Sequence, residues 1–133
     1  MLVWSTVNPE GENAGYQGFY LTEQDIDSCV RDNKLVGCPV KAEHKGAPVG
    51  RVVSTWKNNG KLDCLMELDE HCFRSNLLQE YISNGRVSEC SLGYKVNFQA
   101  SSVATPISKE FVEVSIVKKG DRPKCQIHAF TAS

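Results

Sequence analysis

The sequence predicts a mainly β domain, a small closed barrel of about six or seven short strands with two helices packed outside. Three observations carry this expectation. Runs that alternate apolar and polar residues recur along the chain, beginning with MLVWSTV. Two such runs, APVGRVVSTW and KLDCLMELD, are separated by Asn-Asn-Gly, whose residues tolerate the positive φ of a tight hairpin turn. Helical spacing is confined to two stretches, YLTEQDIDSCVRDN and EHCFRSNLLQEYISNG.

Taken in order, MLVWSTV has the period of a half-buried strand, and NPEGENAGYQG carries turn residues and reads as a loop. In the first helix Thr22 is placed to cap and Asp25 stands three residues on, a variant of the capping box. Ile26, Cys29 and Val30 then form one apolar face, and Asn33 ends it. KLVGCPVKAEH is extended, with Pro39 arguing for an edge or irregular strand. The Asn-Asn-Gly hairpin follows. The second helix places Cys72, Leu77, Leu78, Tyr81 and Ile82 at helical spacing, with Gly85 as terminator. RVSECSLGYKV, EFVEVSIVKK and CQIHAFTA are the last three strand candidates, and NFQASSVATPISK, rich in Ser, Ala and Thr, reads as a mobile loop.

A chain of 133 residues fits one domain, 1–133, and can bury a core without metal or disulfide staples. Its net charge of −1 and ordinary apolar content suggest a soluble globular protein. Basic residues are scattered, with VKKG the nearest thing to a cluster, so no nucleic-acid partner is expected. No stretch is long enough to cross a bilayer, so no membrane partner is expected either. Cysteines stand at 29, 38, 64, 72, 90 and 125, and the start MLVWSTVNPEGE lacks a charged end followed by an apolar run. Reduced, mostly buried thiols are therefore expected. The CxxC pairs that would support zinc are absent, and no metal or organic cofactor is expected.

Three polar groups fall where a structural role is awkward. His44 follows a strand, Ser91 lies within one or at its end, and Glu113 sits between valines in FVEVSIV. An inward-facing, unpaired carboxylate there would be expensive. A serine hydroxyl becomes a good nucleophile when an imidazole takes its proton, and the imidazole needs a partner to fix its tautomer and stabilise its charge. From the residues alone, the commoner arrangement is a solvent-facing His44, a packed Ser91 and an outward Glu113.

The order and context of these motifs resemble those of a known family. CPVKAEHKGAPVGRVV resembles the segment of the herpesvirus capsid-maturation proteases (assemblins) in which a Pro-containing strand leads to the catalytic histidine and a Val-Gly-x-Val strand. SECSLGY resembles their Ser-Leu-Ser nucleophile strand, and FVEVSIVKKGDRP their Phe-x-His-Val strand running to a Gly-Arg-Arg turn. Glu113 stands where those enzymes carry a second histidine, and a Ser-His-Glu set is similar to that of the prohead proteases of tailed bacteriophages. The resemblance runs from about Gly18 to Ile127.

It implies a herpesvirus-protease-like fold and a serine endopeptidase that cleaves the capsid scaffold and its own precursor. Ser91 would be the nucleophile, His44 the general base and Glu113 the orienting acid. The oxyanion donors would be the backbone N–H of Asp121 and a water held by Arg122. The partner implied is a scaffolding protein, and the setting an infected cell and immature capsid, nuclear if herpesvirus-like and cytoplasmic if phage-like. The family tends to cut between Ala and Ser, so Ala100–Ser101 and Ala132–Ser133 are candidate self-cleavage sites. Herpesvirus relatives dimerise largely through a helix beyond the region corresponding to CQIHAFTAS. A monomer, or a weak homodimer through another surface such as the 71–83 helix, is therefore expected.

Rival readings are a non-catalytic β-barrel interaction module and a cysteine hydrolase using Cys90 or Cys125. Cys90 neighbours Ser91, and adjacent strand residues face opposite ways, so an outward Ser91 sends Cys90 to the core. Ser88 and Ser115 as nucleophile would shift the register, His71 falls on an exposed turn, and His128 is the rival for base or third member.

Overall fold

The strands expected from the alternating runs form in the computed structural model, which describes residues 1–9, 21–99, 102–120 and 124–131. Along the chain run β1 (Leu2–Asn8), α1 (Glu23–Arg31), β2 (Pro39–Ala42), β3 (Lys45–Asn58), β4 (Lys61–Leu68), α2 (Phe73–Ser83), β5 (Glu89–Gln99), β6 (Ser102–Val117) and β7 (Ile127–Phe130). They make one seven-stranded sheet in the order β5-β6-β2-β3-β4-β1-β7. Every pairing is antiparallel except that of β2 with β6. The sheet curls until its two ends meet. Glu89 bridges Gln126, the Cys90 N–H donates to the Cys125 carbonyl at 2.8 Å, and the Ile127 N–H donates to the Ser88 carbonyl at 2.9 Å.

One face of the curled sheet is apolar, as period-2 strands require. Val3, Val40, Val52, Met66, Val114 and Ile116 are among its fully buried side chains. Asn59 and Gly60 connect β3 to β4 with φ of 50° and 84°, and Asn58 pairs with Lys61, as the Asn-Asn-Gly signal predicts. The α1 cap also forms as expected. The Asp25 N–H donates to Thr22 Oγ1 and the Thr22 N–H to Asp25 Oδ2, at 3.1 and 2.8 Å. Ile26 and Cys29 are buried beneath this helix.

Three local expectations need correction. KLVGCPVKAEH is strand only over Pro39–Ala42; before it, the Cys38 N–H bonds the Leu35 carbonyl in a turn. In α2 the buried face is Ser75, Leu78, Gln79 and Ile82, while Leu77 points outward and Phe73 is 82% exposed. Two polar residues can take that face because Gln79 Nε2 donates to both Ser75 Oγ and the Asp69 carbonyl at 3.2 Å. Gly85 closes the helix as expected, with its N–H on the Ile82 carbonyl and the Arg86 N–H on the Tyr81 carbonyl.

The third correction is the largest. Most of the segment read as a mobile loop, NFQASSVATPISK, belongs to a long β5–β6 hairpin in which Asn97 pairs with Ser108 and Gln99 with Ser102. Its Ser-, Ala- and Thr-rich composition resembles a loop, yet backbone pairing alone can extend a hairpin arm. Ala100–Ser101 and Ala132–Ser133, the candidate self-cleavage pairs, lie outside the described residues.

All six cysteines are thiols, with Cys29, Cys64, Cys90 and Cys125 buried. Among the described residues no helix is long and apolar enough to cross a membrane.

Candidate active site

The topology gathers the candidate residues at one end of the sheet. β2 ends in a two-residue hairpin, Glu43–His44, closed by the Ala42–Lys45 pair. β6 runs parallel to β2, with Val40, Lys41 and Ala42 beside Val114, Ser115 and Ile116, so the second half of β6 reaches the same end. β5 is antiparallel to β6, and its first residues arrive there too: Ser91 pairs with Ser115 and Gly93 with Glu113.

Directly paired residues present their side chains on one face of a sheet. Ser91, Gly93, Glu113 and Ser115 therefore share the outer face, while Cys90, Leu92, Val114 and Ile116 line the core. Burial pushes the Cys90 thiol up to about 12. A buried thiol with so little thiolate is a poor nucleophile, which argues against a cysteine hydrolase built on Cys90. Cys125 is buried as well.

Glu43 and His44 both adopt left-handed backbone angles, φ 53° and 58°. Such angles suit the turn but cost non-glycine residues on the order of 1–3 kcal/mol, and they persist where surrounding contacts hold them. Those contacts are present. The Glu43 N–H bonds the Ile116 carbonyl at 3.1 Å, and Glu43 Oε1 accepts from the Lys118 N–H at 2.7 Å. The His44 N–H donates to Ser115 Oγ at 3.0 Å.

The His44 ring meets Glu113, with Nδ1 and Oε1 2.5 Å apart. With Glu113 ionised, Nδ1 carries the proton and Nε2 is left as an acceptor. The other carboxylate oxygen, Oε2, accepts from Ser115 Oγ at 2.6 Å. Both oxygens of this nearly buried carboxylate are thereby satisfied, which resolves the cost that FVEVSIV seemed to carry. The His44 side chain is 43% exposed and that of Glu113 10%, so the imidazole can be reached while its carboxylate partner is shielded.

The structure joins two of the three predicted residues directly, and brings Ser91 to the same face on the adjoining strand. The Ser91 hydroxyl itself bonds no described side chain. Gly120 lies against the strand that carries Ser91. Its N–H donates to Glu89 Oε1 at 3.0 Å, and a Cβ there would stand 3.0 Å from the Cys90 carbonyl oxygen. Asp121 and Arg122, the expected oxyanion donors, follow immediately and lie outside the described residues.

His128, the rival base, is committed elsewhere. Its Nε2 lies 2.7 Å from Thr6 Oγ1 and its ring 4.8 Å from that of Trp4. Thr6 Oγ1, Trp4 Nε1 and Asn58 Nδ2 all donate to the buried Asp63. His71 is exposed ahead of α2. Ser115 and Gly93 were not singled out from the sequence as parts of the site. The signal for Ser115 was its place two residues after Glu113 in a strand, hence on the same face.

No family model matches the chain, and no curated protein matches it by sequence. Solved structures do match. The Kaposi's sarcoma-associated herpesvirus protease, in complex with a hexapeptide phosphonate inhibitor, superposes with a TM-score of 0.65 at 16% identity, over 95% of this chain and 63% of that one. In complex with an allosteric inhibitor it superposes with a TM-score of 0.55 at 16% identity, over 96% and 76% of the two chains. With a dimer disruptor bound, the values are 0.55, 15%, 95% and 73%. The chain spans just under two thirds of the first of these structures. At this identity the likeness concerns architecture: the chain has the herpesvirus-protease fold.

Proposed function

We propose that the protein is a serine endopeptidase of the capsid-maturation type, with Ser91 as nucleophile, His44 as general base and Glu113 as orienting acid. The observation that supports this most is the hydrogen bond between Glu113 and His44 beside the strand of Ser91, at the end of a herpesvirus-protease fold. Ser91 Oγ attacks the scissile carbonyl carbon as His44 Nε2 takes its proton. Glu113 holds the Nδ1–H and stabilises the imidazolium. The carbonyl oxygen becomes an oxyanion, met by the Asp121 N–H and by a water on Arg122. Donors aimed at developing charge often contribute more than any other single term. The C–N bond then breaks, His44 returns the proton to the leaving amine, and water hydrolyses the ester on Ser91.

The substrate in this reading is a capsid scaffolding protein and the enzyme's own precursor, processed in the infected cell and immature capsid. Self-processing would occur at Ala100–Ser101 or Ala132–Ser133.

The test offers purified protein an extended peptide containing an Ala-Ser bond. Cleavage by the wild type and its loss in Ser91→Ala, with the melting temperature retained, is the expected result. Cleavage by Ser91→Ala at the wild-type rate would overturn the proposal, and a folded wild type without turnover would favour the interaction module.

A further inference from the structure

We propose that Ser115 is a positioning residue that locks the strained backbone of His44 to the carboxylate that orients its own ring. This rests on the reading of His44 as general base. Ser115 is fully buried, and its hydroxyl makes two bonds of opposite sense. It accepts from the His44 N–H at 3.0 Å and donates to Glu113 Oε2 at 2.6 Å. Glu113 Oε1 then meets His44 Nδ1 at 2.5 Å. The loop is closed: from the main chain of His44, through Ser115 and Glu113, back to the imidazole of His44.

The two contacts do different work. The bond from the His44 N–H helps hold a non-glycine residue at φ 58°. The bond to Oε2 stops the carboxylate from rotating about its last torsion, which is otherwise soft. A hydroxyl suits both tasks, because it donates one hydrogen and still accepts another. Alanine can do neither. A carboxylate free to turn would leave the ring sampling both tautomers and several orientations, and only one presents Nε2 as acceptor. Ser91 pairs with Ser115 across the strands, so the same residue lies opposite the nucleophile in register. Ser115 touches no reacting atom in this scheme and acts through His44 and Glu113.

The test reads the imidazole directly. In wild type, proton NMR should show a downfield Nδ1–H resonance that disappears in His44→Ala and Glu113→Ala. Ser115→Ala should broaden or lose it and remove the exchange protection of the His44 amide, while neighbouring β6 amides stay protected. On a cleavable peptide, Ser115→Ala should lower kcat about tenfold, the scale of losing one buried hydrogen bond to a charged group, with KM nearly unchanged. If the alanine variant fails to fold, Ser115→Cys has nearly the same volume and a weaker donor, and the same loss of the resonance is expected. An unchanged Nδ1–H resonance in either folded variant would overturn the proposal. A resonance lost on substitution, in a wild type that cleaves no peptide, would instead sustain Ser115 as the lock on His44 and sink the protease reading.

Discussion

A Cβ added at Gly93 would stand 2.8 Å from Glu113 Oε1 and 3.0 Å from Glu113 Cγ, because the two residues face each other across β5 and β6. The resembled nucleophile strand reads Ser-Leu-Ser where this chain has Ser-Leu-Gly, and the resembled third member is histidine where this chain has Glu113. Both departures fall on one cross-strand pair. The glutamate lies over the space a side chain at 93 would fill.

Gly93→Ala is therefore expected to displace a carboxylate already bonded on both oxygens. The fold should survive, since the clash is with the end of one side chain on the outer face. Activity should fall about a hundredfold, the scale of misplacing a catalytic constellation by an ångström. Steady-state kinetics beside a thermal melt checks this; wild-type kcat in Gly93→Ala would mean that Glu113 has slack.

Loss of the three principal residues should be graded. Under the proposed mechanism, in which Ser91 is the nucleophile and His44 the base, Ser91→Ala and His44→Ala should leave only background cleavage. Under the same proposal Glu113→Ala would take away only orientation and charge stabilisation, and should retain a measurable rate, about 10²- to 10⁴-fold below wild type. Equal rates for Glu113→Ala and wild type, measured on one peptide, would remove Glu113 from the mechanism.

Cys90 should be inert in the folded protein. Burial pushes its thiol up to about 12, so at pH 8 almost none of it is thiolate. Iodoacetamide at pH 8 is expected to spare Cys90 and leave peptide cleavage intact, with Cys90 labelled only after denaturation. Peptide mapping reads this, and loss of activity on alkylation of Cys90 would revive the cysteine reading.

The Asp25–Lys109 pair should tie α1 to β6. Burial raises the Asp25 carboxyl, but bonds from Lys109 and from Thr22 outweigh it and hold the group below its ordinary value. A carboxyl lowered by folding contributes stability above its ordinary pKa and loses it as pH falls through the lowered one. Asp25→Asn should cost about 1 kcal/mol at pH 7, the scale of a weakened cap, and progressively less towards pH 2. Denaturant titrations of both proteins at several pH values test this; a gap that widens on acidification would contradict it.

What the sequence made legible was local. The Thr22–Asp25 capping box and the Asn59–Gly60 turn are written within a few residues, and both formed as read. The pairing of Glu113 with His44 came from motif resemblance and chain order. Gly93 and Ser115 take their meaning from the β5–β6 register, and a register is a long-range pairing that neither strand specifies alone. The arm after Asn97 reads as a loop from its composition, while its backbone pairs from Asn97 with Ser108 to Gln99 with Ser102. In α2 the spacing predicts the helix but not its packed face, because the bonds of Gln79 let polar residues turn inward.

The most direct test of the central claim is covalent capture of the nucleophile. Protein incubated with a peptidyl phosphonate, digested and mapped by mass spectrometry should carry one adduct per chain, on Ser91, and none in Ser91→Ala or His44→Ala. An adduct on any other residue, or none on a wild type that cleaves peptide, would contradict it.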